Sequence, residues 1–436
     1  MNTDTQSGSF LRALGPLESY AWLIDPISPK HFTITAEVTG STSVDAWAAA
    51  LHAVQSRPPL INARVNTDSS QPLHFVYDSS AKIPLRVVRL DKLTDIEQEI
   101  KREFSAPFGT GDIPLLRAAL LYSDTRCVII MTSHHSIADG LSLTHFIRDV
   151  LDSLAGKVLV TLPLQPTVED ICIKADTPVA SINIPTGTST PVPYTERSLA
   201  KLNIFRRRLS PELSSGIRLR EKKENTTVHG ALAAAFALAF TRTSTSTSTS
   251  TSTSTSTSTS TSTSINSNTP VRICTPIDAR KFFALDYGLS FSVLFPTYGY
   301  DARLTTKFWD LARAVTDDLQ PVRTQQGMAT VINQFQDFMN NPELNRLINF
   351  DKQSCAPDIL ISNLGVLPFS SQFGELTLES VWGPNVLIGT EGEQTIGVVT
   401  LHDTIHLIHT SYKPLPEFLN TAEEILTSVL DEKLPA

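Results

Sequence analysis

Residues 127–133, CVIIMTS, are too apolar for the edge of a sheet, and they run directly into two histidines, an Asp-Gly pair and a helix-like stretch. A strand with one wet face alternates apolar and polar residues, whereas a strand covered on both faces reads as an almost unbroken apolar run. The preceding run, LLRAALLY, joins it through SDTR, so the two form a hairpin inside a sheet. After the Asp-Gly pair, Leu143, Phe146, Ile147, Val150 and Leu151 recur at helical spacing and mark one apolar helix face. A buried strand feeding an amphipathic helix demands a layered structure with helices packed on a sheet.

The rest of the chain repeats that alternation, which places it in the α/β class. HFTITAEVTG (31–40) has the period of a strand, and SVDAWAAALHAVQSR (43–57) has that of a helix behind a Ser43 or Asp45 cap. Further on, TTVHGALAAAFALAFTR is apolar on nearly every side and is expected to lie buried between layers. With 436 residues the chain exceeds one ordinary hydrophobic core, so two lobes are expected. A stretch rich in Pro, Ser and Thr separates them, giving a first lobe at 1–176, a linker at 177–195 and a second lobe at 196–436. Inside the second lobe, residues 243–264 are an unbroken Thr-Ser alternation with no apolar face. Burial cannot offset its ordering entropy, and a disordered loop is expected there.

Composition excludes several classes of function. A net charge of -8 gives no general attraction to nucleic acid. Cys127, Cys172, Cys274 and Cys355 form no CxxC pair, so neither a zinc site nor a disulfide framework is suggested. The N-terminus has no signal-peptide pattern and no window is long and apolar enough for a membrane span, so a cytoplasmic protein is expected.

The candidate chemistry lies in SHHSIADGLS, residues 133–142. A histidine at a strand end is commonly a packed structural residue, but imidazole is also the natural general base near neutral pH. Successive strand residues point to opposite faces, so only one of His134 and His135 can enter a given cleft. No metal is expected, because a catalytic zinc needs three protein ligands and His135 with Asp139 supplies two. In HDTIHLIH (402–409), His406 and His409 differ in parity and should diverge. GxSxG is absent and no cysteine has an evident local base, which disfavours a covalent intermediate. Direct transfer remains, with a histidine deprotonating one substrate as it attacks the other.

HHSIADG fits the HHxxxDG signature and resembles the chloramphenicol acetyltransferase-like superfamily, which includes condensation domains of peptide synthetases, PapA-type polyketide acyltransferases and alcohol acetyltransferases. RALGPLESY (12–20) resembles the R-x-L-G-x-x-E-x-Y opening of the PapA-type and alcohol acetyltransferase branches, and TPIDAR and ISNLGVL resemble blocks of the second half. The DFGWG element of the plant enzymes is absent, with SNLGV at a broadly corresponding stage.

The resemblance implies two similar α/β lobes, built of mixed sheets flanked by helices, that meet at an active-site tunnel. His135 would be the general base. Asp139 would be structural, paired with Arg280 or alternatively with Arg57. Gly140, Ser362 and Asn363 would approach the oxyanion, and His134 would be a packed support. His145 and His229 are assigned no chemistry. The function implied is a free-standing acyltransferase, with no permanently bound cofactor, that moves an acyl group from acyl-CoA or an acyl carrier protein to an alcohol in secondary or polyketide metabolism. Amide formation on an amine, hydrolysis, and a non-catalytic binding protein are the alternatives. A monomer is expected.

Overall fold

The computed structural model describes residues 8–68, 70–174, 191–250, 269–303 and 305–432. Two six-stranded mixed sheets, each flanked by helices, form its frame. The hairpin of Leu116–Tyr122 and Arg126–His134 lies inside the first sheet, with Leu85–Arg89 outside it on one side and His31–Thr39 on the other. Val128, Ile129, Ile130 and Met131 are wholly buried, as an unbroken apolar run requires. In the second sheet, Ile359–Val366 and Gln394–Leu401 pair in parallel at the centre, and Thr404–Ser411 follows as a hairpin partner.

A cut at 177–195 does not separate the two lobes cleanly. Leu376–Asn385, from the second half of the chain, pairs antiparallel with His31–Thr39 and so belongs to the first sheet. In the reverse direction, the helix Pro16–Ile24 places Leu17, Tyr20 and Ile24 in the core of the second half. The strands can approach this closely because residue 397 is a glycine: a Cβ there would lie 2.4 Å from the Pro384 carbonyl oxygen. Asn385, fully buried, accepts from Thr33 Oγ1 at 3.0 Å and donates to Thr410 Oγ1 at 2.9 Å, tying one sheet to the other. The inter-lobe seam is thus crossed by a shared strand, shared core packing and a buried hydrogen-bonded asparagine.

The alanine-rich helix spans Val228–Ser250, and Ala231–Phe240 are buried in the larger core. It continues into the Thr-Ser repeat, so the expected loop does not begin at Thr243. Propagating an existing helix fixes one residue per hydrogen bond, far cheaper than nucleating one, and Thr243 Oγ1 donates back to the Ala239 carbonyl at 2.8 Å. The remainder of the repeat lies outside the described residues, as do linker positions 177–190. Within the described part of that linker, Tyr194 bridges to Thr390. Among the described residues no helix is long and apolar enough to cross a membrane, and all four cysteines are buried and free.

Candidate active site

The motif strand ends at His134, a short turn follows, and the helix Gly140–Leu154 begins immediately after it. Asp139 and Ser142 start that helix reciprocally. The Ser142 amide donates to Asp139 Oδ1 at 3.0 Å, and the Asp139 amide donates to Ser142 Oγ at 2.9 Å, a capping box that satisfies two otherwise orphaned donors.

The two histidines diverge. The Ser136 amide donates to His134 Nδ1 at 3.0 Å, so the ring hydrogen sits on Nε2, which lies 3.1 Å from Asp25 Oδ1. Trp22 and Phe108 close around the His134 ring edge-on. His135 turns instead into a cavity of about 120 Å³ at the seam. Its ring is held between Phe32 of the first half, at 4.4 Å, and Phe291 of the second, at 4.8 Å. His135 Nδ1 lies 3.1 Å from the Ala138 carbonyl oxygen and must donate to it, because a carbonyl can only accept. The basic lone pair therefore sits on Nε2. Burial lowers the His135 pKa to about 3, against smaller upward contributions from the Ala138 carbonyl and Asp139, so the ring is neutral near pH 7.

Asp139 points away from the cavity centre. Its Oδ2 meets Arg280 Nη1 at 2.7 Å and the Ser292 amide at 3.0 Å. Arg280 also donates to Asp278 at 2.9 Å, to the Ser290 carbonyl at 3.0 Å and to Ser290 Oγ at 2.9 Å. Both members of the Asp139–Arg280 pair are 1% exposed, and together they stitch the turn that carries His135 to the other half of the chain. Arg57, the alternative partner, pairs with Asp149 at 2.7 Å.

Gly140 sits at the first turn of the motif helix and lines the cavity. A Cβ there would come within 2.9 Å of Leu364 and 3.3 Å of Pro384. Ser362 and Asn363 line the same cavity. Asn363 Oδ1 accepts from the Gly365 amide at 2.8 Å, and Gly365 has φ +75°, so this side-chain carbonyl braces the register shift between Asn363 and Val366 within the strand Ile359–Val366.

Sequence reasoning missed three parts of the site. Phe32 and Phe291, which grip the base, are distant in sequence and carry no local signal. A second, more polar cavity of about 400 Å³ adjoins the first through Leu141, Asp278 and Asn363 and is lined by His145, His229, Lys281 and Arg323. Burial lowers the pKa of His145 to about 3 and of His229 to about 4, so both are neutral imidazoles there. Lastly, Lys30 and Tyr20 line the first cavity and converge on buried Asp351. Tyr20 closes the RALGPLESY segment, which is the one available signal for this cluster. Arg12 and Glu18 of that segment pair at 2.6 Å, outside the cavity.

No group of three or more His, Cys, Asp or Glu is placed to hold a metal among the described residues. His406 and His409 point apart, His406 against Trp382 and His409 onto Gln394 at 2.9 Å.

Residues 28–170 match the condensation-domain family model. The chain is 28% identical over 127 residues to tyrocidine synthase 3 of Brevibacillus parabrevis, and 26% identical over 204 residues to the nonribosomal peptide synthetase easA of Emericella nidulans. These segments are 29% and 45% of this chain, but only 2% and 3% of those much longer relatives. Similarity of fold extends over the whole chain. Polyketide synthase associated protein 5 from Mycobacterium tuberculosis superposes with a TM-score of 0.65 at 16% identity, covering 97% of this chain and 99% of that one. The condensation domain of the monacolin K polyketide synthase MokA gives 0.65 at 14% identity, with 98% and 97% covered. The condensation-domain match, which includes the HHxxxDG turn, and the two-lobed fold shared over the whole chain agree with the resemblance to the chloramphenicol acetyltransferase-like superfamily.

Proposed function

We propose that the protein is an acyltransferase that moves an acyl group from a thioester, carried by coenzyme A or an acyl carrier protein, onto an alcohol. The observation that carries this reading is His135: a neutral imidazole whose Nδ1–H is committed to the Ala138 carbonyl, leaving a basic Nε2 in a cavity lined by both halves of the chain.

The chemistry balances within that cavity. Nε2 accepts the hydroxyl proton as the alcohol oxygen bonds to the thioester carbonyl carbon, and the carbonyl oxygen becomes an oxyanion. The intermediate collapses by breaking the carbon–sulfur bond, and the imidazolium returns its proton to the leaving thiolate. The His135 pKa of about 3 describes the ring before any oxyanion forms beside it. An oxyanion forming beside it favours the imidazolium, so the base strengthens where the transition state needs it. The amide at Gly140, in the first turn of a 15-residue helix, supplies an oxyanion donor at the positive helix end. An alcohol acceptor is favoured because a hydroxyl must lose its proton to attack well, whereas a neutral amine is nucleophilic without a base. The adjoining cavity, with Lys281 and Arg323 on its wall, offers a route for a phosphate-bearing thioester carrier.

The test is thiol release from a panel of acyl thioesters, on coenzyme A and on carrier protein, with and without alcohols and amines, with products identified by mass. Acceptor-dependent ester formation that falls by about 10²- to 10⁴-fold in His135→Ala is the expected result. Amide products would change the acceptor class, and free acid alone would make the protein a hydrolase. Normal turnover by the variant would remove His135 from the mechanism.

A further inference from the structure

Lys30 is an anomaly in the cavity wall. It is 8% exposed and, among the described residues, is the one Lys or Arg lining the chamber that contains His135. Its neighbours there include Ala21, Phe291, Val293, Leu360 and Leu387, an apolar surface that does not require a cation. Burying an ammonium costs several kcal/mol unless it is paired and hydrogen-bonded, so its retention demands a reason.

The position follows from strand register. His31 pairs antiparallel with His134, and the His135 amide donates to the Lys30 carbonyl at 2.8 Å, so Lys30 and His135 are direct cross-strand neighbours on one face. Such neighbours have Cβ atoms about 4.5–5.5 Å apart. Two of the three Nζ–H bonds are used, one by Ser28 Oγ at 2.9 Å and one by Asp351 Oδ2 at 2.8 Å. The third has no oxygen or nitrogen acceptor among the described residues, and the ammonium also lies 5.7 Å from the centroid of the Tyr20 ring. Asp351 balances the charge and also accepts from the Tyr20 hydroxyl and, at 3.1 Å, from the Tyr194 hydroxyl. Arg197, the next cation, donates to Ser28 Oγ and the Ile388 carbonyl, each at 3.2 Å, behind the chamber lining. The ammonium is therefore neutralised by its own cluster and retains one N–H without an oxygen or nitrogen acceptor, in the cavity that also holds His135.

We propose that Lys30 determines acyl specificity: its remaining N–H donates to an uncharged hydroxyl or keto oxygen on the acyl chain, within a few bonds of the reacting carbonyl, so that an oxygenated acyl thioester is preferred over its plain alkyl counterpart. This assignment rests on the acyl-transfer reading. A carboxylate is disfavoured because Asp351 already neutralises the ammonium, and the apolar lining accounts for the rest of the chain.

The test uses the intact protein with hexanoyl-, 3-hydroxyhexanoyl-, 3-oxohexanoyl- and 5-hydroxyhexanoyl-pantetheine, measuring binding by calorimetry without acceptor and then transfer with it. The expected result is about tenfold or tighter binding of at least one oxygenated thioester, the scale of one hydrogen bond to a charged group. Lys30→Met combined with Asp351→Asn removes both charges together and leaves neither buried alone. That variant should bind all four thioesters within about twofold, while Lys30→Arg keeps part of the preference. Equal binding of all four by the unmodified protein overturns the proposal, as does a preference that survives in the double variant or an absence of binding by any of them. Preferential binding with no transfer to any acceptor would leave Lys30 in its role and refute acyl transfer instead.

Discussion

His134 and His135 are adjacent in sequence and opposite in chemistry. His134 ends the motif strand and His135 opens the turn after it, but His134 is enclosed by Trp22, Phe108, Ser136 and Asp25, whereas His135 keeps Nε2 toward a cavity and its ring is held by stacking and one carbonyl. Strand alternation accounts for the divergence. What makes one of them a candidate base is a nitrogen left without a protein partner on the side where substrates can enter, and that depends on what the second half of the chain places opposite it.

The strongest way to break this contrast is to exchange the two losses. His135→Gln should reduce transfer by about 10²- to 10⁴-fold while leaving thermal stability nearly unchanged, and His134→Gln should leave transfer within about tenfold. Parallel kinetics and melting curves check this, and equal losses of activity would make the two residues one functional unit. Second in size is the knot behind the motif. Asp139→Ala leaves Arg280 buried beside Asp278 alone and should cost about 3–5 kcal/mol in denaturant unfolding, with activity falling as the turn loosens. His134→Gln should lower stability by only about 1–2 kcal/mol, the scale of an imperfectly replaced buried hydrogen bond.

Smaller effects should appear in pH dependence. With the free-enzyme pKa of His135 lowered to about 3, kcat/KM should stay flat on its acid side from about pH 8 to about pH 5; a decline centred near pH 6.5 would show an unperturbed base. Stability behaves differently. His31, His135, His145, His229, His406 and His409 are all lowered to about 3 or 4 by burial. The unfolded chain binds protons at these sites below about pH 6.5 and the folded chain does not, so stability is fully present above that value and falls progressively toward pH 4. Melting temperatures measured across that window, with activity in the same buffers, separate the two behaviours.

Much of the architecture was legible locally. The run CVIIMTS specified an interior strand, the spacing of Leu143, Phe146, Ile147, Val150 and Leu151 specified the helix after it, and of the two caps expected, Ser43 or Asp45, Ser43 is the one that caps its helix. HHSIADG, within the matched family segment, pointed to the turn that carries His135. These features depend on contacts a few residues apart, which is the range over which periodicity and capping act.

Other features could not be read this way. The strand Leu376–Asn385 crosses into the first sheet, although nothing within it says which sheet it joins. Phe32 and Phe291 grip His135 from positions 259 residues apart (291 minus 32). Register places Lys30 across from His135, and Asp351, 321 residues away, makes its burial tolerable. The amino-acid sequence by itself determined the elements, the motif and the tautomer-setting turn, because each is closed by near neighbours. Tertiary structure decided which imidazole nitrogen faces open space, which aspartate is spent on an arginine and which lysine is buried beside the base, because burial and pairing belong to surfaces that meet only when the two halves interlock.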